Sequence, residues 1–184
     1  MLRMVPLSQE GEEARMITVT PASTAADRAV IAGLMQFYIY DFSEMEPPGS
    51  TGFDVGADGL FGPYPHLDSY WTEENHWPLL FKLGEANVGF ALVNQVSHRD
   101  DGFVERNMAE FFLMRQQRHG NVAASAAAQV FAMFPGRWEV AVVARNKRAL
   151  SFWPRAIAAA GVRELEKLEG DGIHWTGPIW TFTC

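Results

Sequence analysis

The residues best able to do chemistry lie between Met108 and Ala160. They read MAEFFLM, then RQQRHGNVAASAAAQVFAMF, then PGRWEVAVVARNKRALSFWPRAIAAA. An apolar strand runs into a basic, polar turn, and the turn opens a helix of small residues. A helix N-terminus placed just after a strand offers unpaired backbone N–H groups and the positive end of a dipole. Phosphate binds readily at such a place. Arg115, Arg118 and His119 stand beside it, in a chain whose formal net charge is −7. Glu110 is the second candidate, the one carboxylate inside the run MAEFFLM. Apolar surroundings raise the pKa of a carboxyl group, and a general base works best near the operating pH. Each candidate also has a plainer explanation: a solvated basic turn for the first, a buried Glu held by a structural hydrogen bond or an Arg for the second.

The chain that must position these groups has 184 residues, enough for one domain with a substantial core. Hydrophobic residues make up 48% and charged residues 20%, an ordinary globular composition. Asp and Glu number 22 against 15 Lys and Arg, which argues against nucleic acid as the main partner and fits an amine-bearing substrate. The single cysteine, Cys184, allows no internal disulfide. Residues 1–15 lack the apolar core of a signal peptide. No apolar run approaches the roughly 20 residues that span a bilayer. The expectation is a polar tail over 1–15, one domain over 16–184, a cytoplasmic location and no membrane partner. His66, His76, His98, His119 and His174 are scattered without metal-ligand spacing, so no metal is expected.

Periodicity places the elements. Ile17–Thr20 alternates as a short strand, and Thr24 with Asp27 forms a capping box for a helix over Ala25–Tyr40. That helix should carry Val30, Leu34, Phe37 and Tyr38 on its buried face. Glu46–Pro65 is a Gly/Pro-rich loop, longer than a plain connector and of the length of a lid or binding loop. Asp54, Asp58 and Gly59 hint at a calcium loop there, which Gly56 and Pro65 break at ligand positions. Leu67–Glu74 reads as a short helix, and Pro78–Lys82 with Val88–Val96 as a hairpin. Met108–Met114 is a strand buried on both faces, followed by a helix over Val122–Phe134, a strand over Trp138–Val143 and a helix over Lys147–Ala160. Val162–Leu168 and His174–Phe182 close the chain as a hairpin. An antiparallel front half followed by a crossover makes the fold class α+β.

This order of elements, with the phosphate turn and an Asn-led helix, resembles the GNAT superfamily of acyl-CoA N-acyltransferases over most of residues 16–184. The specific part is Ala109–Phe152. The family signature Arg/Gln-x-x-Gly-x-Gly/Ala is matched by Arg118, Asn121 and Ala123, counted five residues beyond Leu113. A second register, Gln117-x-x-Gly120-x-Val122, keeps the glycine and loses the final small residue. Asn146, Ala149 and the pair Phe152–Trp153 resemble the family's Asn-x-x-Ala-x-x-x-Tyr pattern, with Trp153 where many members keep a tyrosine as general acid. An indole cannot serve as that acid. Pro154 falls inside the helix and should kink it.

The resemblance implies a mixed, mostly antiparallel twisted sheet with a central parallel strand pair, flanked by helices. It implies acetyl-CoA as co-substrate, bound by Phe112, Leu113, Arg115, Arg118, His119, Gly120, Asn121, Val122, Ala123, Asn146 and Phe152. The thioester carbonyl would be polarised by a backbone N–H near Leu113. Arg118, on the turn, would be exposed. Glu110 would take a proton from the acceptor amine, and Tyr38, Tyr40 and Asp41 would line the acceptor pocket. Trp71, Trp77 and Phe61 could form an aromatic substrate wall, although core packing suits them better. The expected activity is N-acetylation of a small-molecule or peptide amine. Asn121 and Trp153, which depart from the pattern, keep open an acyl-CoA-binding sensor with little catalysis. A homodimer is compatible with the sequence, which does not set the oligomeric state.

Overall fold

Thr24 and Asp27 show how closely local chemistry sets the elements. The Thr24 side chain accepts from the Asp27 N–H at 3.1 Å, and Asp27 accepts from the Thr24 N–H at 3.0 Å, so two orphan donors are satisfied at once. Helix α1 (Ala25–Ser43) starts there and buries Ile31, Leu34, Met35, Tyr38 and Ile39. The expected face is turned by a fraction of a turn: Phe37 is 52% exposed. Ile31 and Met35 take the inner positions, because a helix of nearly uniform hydrophobicity gives periodicity little to read. A computed structural model describes residues 16–184 other than 100, 101 and 103, so the expected tail over 1–15 lies outside the described residues.

The strands are β1 (Ile17–Pro21), β2 (Trp77–Leu83), β3 (Ala86–Asn94), β4 (Arg106–Leu113), β5 (Arg137–Ala141), β6 (Arg163–Glu169) and β7 (Pro178–Thr183). The other helices are α2 (Ser69–Thr72), α3 (Val122–Met133) and α4 (Lys147–Ala159). The strands form one sheet in the order β1-β2-β3-β4-β5-β7-β6. Every neighbouring pair is antiparallel except β4 and β5. One face carries α1 and α2 on Leu80, Phe90, Leu92 and Phe112. The other carries α3 and α4 on Phe81, Leu113, Trp138 and Phe182. Central strands covered on both faces read as continuous apolar runs, and β3 and β4 do so. Among the described residues no helix is long and apolar enough to cross a membrane.

The middle of the sheet is irregular in the way that matters. β4 and β5 pair only at Arg106–Trp138 and Asn107–Glu139, then part. At the same level the β3–β4 register shifts: Leu92 faces Glu110, and Val93 faces Met108. Ala109 is therefore an extra residue, a β-bulge. Asn107 lies on the α1 face, bonded to Asn94. Strict alternation would put residue 109 on that face and Glu110 on the other. The bulge resets the count and turns Glu110 toward α1. On the opposite side of β4, Gly89 lets β3 come close, since a Cβ there would lie 2.2 Å from the Phe112 carbonyl oxygen.

Two boundaries differ from the sequence reading. The last strand starts at Pro178 rather than His174. Asp171 accepts from the N–H groups of Ile173 and His174 at 2.8 Å each, which folds this stretch into a loop outside the ladder. β5 ends at Ala141, because the chain turns at once: the Asn146 N–H donates to the Val143 carbonyl at 2.9 Å. Helix α4 runs unbroken through Pro154, where the proline removes one donor without ending the element.

Candidate active site

Where β4 and β5 part, two cavities open and share the wall Tyr38, Phe42, Phe111, Asn146, Ala149 and Trp153. The first, of about 570 Å³, lies on the α1 face and is closed by residues of the long loop, among them Thr51, Phe53 and Tyr64. The second, of about 790 Å³, runs between β4, the turn before α3 and the start of α4. The loop is docked, not loose. Gln36 of α1 accepts from the Phe61 N–H at 2.8 Å, and just beyond the loop, at the start of α2, Asp68 meets Arg28 at 2.6 Å.

Backbone polarity of β4 points into this cleft. The Met114 N–H donates to the Val88 carbonyl at 2.8 Å, toward β3. N–H groups alternate along a strand, so Phe112 also faces β3, while Phe111 and Leu113 face the side from which β5 has withdrawn. The Leu113 carbonyl on that side accepts from Arg118 Nε at 2.6 Å.

Glu110 lines the first cavity. Tyr38 donates its hydroxyl to Glu110 Oε2, and Tyr64 donates to Oε1. Burial raises the Glu110 carboxyl to about 7, against the lowering effect of those two donors. Burial and the Glu110 charge push both phenols far above their ordinary value, so they remain donors throughout the physiological range. The arrangement is a carboxyl group that can take and release a proton near neutrality.

The cofactor candidates from the sequence divide. Phe112, Leu113, Arg118, Ala123, Asn146 and Phe152 line the second cavity. Asn146 caps α4, its Oδ1 accepting from the Ala149 N–H at 3.0 Å. Gly120 has φ +62°, which suits glycine and lets the chain turn into α3. His119, Gly120 and Asn121 are exposed on the turn, and Val122 is half-buried at the helix start. Arg118 is not the exposed residue expected. Its side chain is 29% exposed, bonded to the Leu113 carbonyl and paired with Asp41. Arg115 pairs with the same carboxylate at 2.7 Å.

The acceptor-pocket candidates divide as well. Tyr38 lines the first cavity. Tyr40 is 60% exposed and lines neither cavity, because it sits on the outer side of α1. Asp41 lines the second cavity, where the two arginines hold it. Trp71, Trp77 and Phe61 stay off the wall: Trp71 donates to the Ala22 carbonyl at 2.7 Å, and Trp77 packs on Phe134. Trp153 is buried against Phe111 and Phe152.

Several residues of the cleft were not singled out in sequence. Tyr64, His98 and Trp175 line the first cavity, and Arg145, Lys147, Arg148 and Arg155 line the second. The basic group was findable. Arg145, Lys147 and Arg148 flank Asn146 at a helix start, where the dipole disfavours cations. Tyr64, in a Pro-bracketed loop, carried no signal.

No protein-family model matches the sequence, and no curated protein matches it. Solved structures do. An acetyltransferase from Thermus thermophilus is similar with TM-score 0.60 and 13% identity, over 94% of this chain and 98% of that one. A PaiA N-acetyltransferase from Thermoplasma acidophilum in complex with coenzyme A gives TM-score 0.58 and 9% identity, over 91% and 99%. Mycobacterium smegmatis RimJ in complex with CoA-disulfide gives 0.56 and 16%, over 94% and 83%. At these identities the shared property is the fold, and the chain has the fold of the GNAT acetyltransferases.

Proposed function

We propose that the chain is an N-acetyltransferase, moving an acetyl group from acetyl-CoA directly to the primary amine of a small molecule or peptide. The observation that carries the reading is Glu110: a carboxyl titrating near 7, at a cavity that meets a basic cleft beside unpaired strand amides.

The residues present fit the co-substrate. Arg118, Arg145, Lys147 and Arg148 and the N-termini of α3 and α4 bring positive potential to one cleft. Acetyl-CoA supplies an acyl group activated as a thioester. The N–H groups of Phe111 and Leu113 are placed to polarise its carbonyl oxygen and to hold the arm that carries it. Tyr38, Phe42, Phe53 and Trp175 give the acceptor cavity an aromatic wall suited to the body of a small amine.

In this reading Glu110 takes one proton from the acceptor ammonium. The freed lone pair forms the new N–C bond, the C–S bond breaks, and the second nitrogen proton ends on the departing thiolate. Trp153 supplies no acid for that last transfer. This feature favours a second reading, an acyl-CoA-binding sensor with little catalysis.

Incubation of the protein with acetyl-CoA and a panel of primary amines, with free thiol as readout, tests turnover. Glu110→Gln separates the readings: an enzyme loses turnover and keeps its acetyl-CoA affinity, whereas a sensor has no turnover to lose. Failure of acetyl-CoA to raise the melting temperature would remove both.

A further inference from the structure

Glu139 occupies an unusual place. It stands in β5 opposite Asn107, at the last paired step before the strands part, and its side chain is wholly buried. A buried carboxylate needs every available donor. Ser97 Oγ donates to Oε2 at 2.8 Å, the His98 N–H donates to Oε1 at 2.7 Å, and His98 Nδ1 lies 3.1 Å from the same oxygen. All three donors come from the connection between β3 and β4. Burial acts to raise the Glu139 pKa, but the bonds from His98 and Ser97 outweigh it and hold it below the ordinary carboxylate value.

An ionised carboxylate only accepts, so Nδ1 carries the ring hydrogen. In the neutral ring Nε2 then keeps its lone pair. The indole of Trp175 stands edge-on against the ring, with centroids 4.4 Å apart, and fixes its plane. His98 lines the acceptor cavity, its side chain is 25% exposed, and Nε2 has no hydrogen-bond partner among the described residues. The ring is near enough to Glu110 that a proton on it favours the Glu110 carboxylate.

Acetylation of an ammonium releases one proton per turnover. Glu110 receives it in a half-buried position, with both oxygens already engaged by phenols. It must lose that proton before it can act again. We propose that His98, oriented by Glu139, is the proton exit of the acceptor cavity: its Nε2 takes the proton from Glu110 through cavity water and releases it to solvent. Glu139 is a positioning residue in this scheme. The inference rests on the acetyl-transfer reading above.

The balance is complete. The ammonium proton passes to Glu110, then to His98, then to buffer, and His98 returns to its neutral form with Nδ1 protonated. No oxidant or further reactant is needed.

Rapid-mixing kinetics test it, following thiol release from acetyl-CoA with phenethylamine, ethylamine and glycinamide as acceptors. His98→Gln should leave the first turnover near the wild-type rate and slow later ones by at least about tenfold, giving a burst that the wild type lacks. Added imidazole should restore the later turnovers. Glu139→Gln should show the same burst. A variant without a burst, or one indifferent to imidazole, overturns the proposal. If the wild-type protein shows no turnover at all, the acetyl-transfer reading fails instead. Nitrogen NMR of the wild-type imidazole gives an answer independent of turnover and of variant folding. The neutral form of the His98 ring should carry hydrogen on Nδ1 with Nε2 bare, and a neutral ring with hydrogen on Nε2 overturns the proposal.

Discussion

Tyr38 and Glu110 stand 72 residues apart in sequence and are joined by a hydrogen bond from the phenol to Oε2. Tyr64 serves the other oxygen from the long loop. A helix, a strand and a loop thus meet on one carboxyl group. Its proton affinity is set by the contest between burial and two donors.

Activity should therefore rise with pH through an acid limb centred near 7, as Glu110 ionises. A donated O–H favours the ionised form. Tyr64→Phe should therefore raise the Glu110 pKa and move the limb upward by about one unit. A pH profile of kcat/KM for both proteins checks this, and a limb that stays put would separate Tyr64 from the titrating group.

Stability should respond to the same group. The folded pKa lies above the unfolded value, so the folded state binds more protons between about 4.5 and 7. Wild-type stability should fall across that window by on the order of 2–3 kcal/mol and be flat in this respect above it. Glu110→Gln should lack the slope. Denaturant titrations at a series of pH values measure the difference between the two curves.

Asp41 holds both Arg115 and Arg118 at the edge of the basic cleft. Arg118→Glu should weaken acetyl-CoA binding by about tenfold or more, about 1.4 kcal/mol. It should also lower the melting temperature, since the Leu113 carbonyl loses its donor. Arg115→Glu, at a side chain 54% exposed, should do less in both respects. Asp41→Asn removes an anion that competes with phosphate and should tighten binding. Calorimetric titration decides: equal, near-wild-type affinities for both arginine variants would sink the phosphate-cleft assignment, and weaker binding by Asp41→Asn would make Asp41 a support rather than a competitor.

Deleting Ala109 removes the bulge. With strict alternation restored, Glu110 follows Asn107 by two positions and keeps the α1 face, opposite Leu92 as before. Turnover should persist in the deletion variant, whereas Met108 and Ala109 deleted together should turn the carboxylate away from Tyr38 and abolish it. Lost turnover on deletion of Ala109 alone would show that the bulge does more than set the face of Glu110.

The fold was legible because its signals are local. Thr24 and Asp27 announce α1, apolar runs mark β3 and β4, and Pro135–Gly136 ends α3. Glu110 was legible for a similar reason, as a charge among apolar neighbours. Its partner Tyr64 was not, because the contact depends on how a 20-odd-residue loop folds back onto α1, and such loops carry little local preference. Asp41 lines the second cavity and not the one that holds Glu110, because helix periodicity gives a face but not which of two cavities that face meets. His98 reads in sequence as one of five scattered histidines, and no local signal links it to Glu139. Only the sheet order, which brings β5 beside β4, puts the carboxylate under the β3–β4 connection.

The parting of β4 from β5 leaves the Phe111 and Leu113 amides without a ladder partner, whereas Phe112 is bonded toward β3. The sheet is thus unfinished along one stretch of one strand. Amide hydrogens at Phe111 and Leu113 should trade with solvent deuterium faster than at Phe112, a tooth-like pattern along consecutive residues. A co-substrate arm laid in the cleft acts as a borrowed strand, and it should slow those two amides selectively. Alternate residues of β4 would then report occupancy of the cleft directly, before any acceptor amine is known.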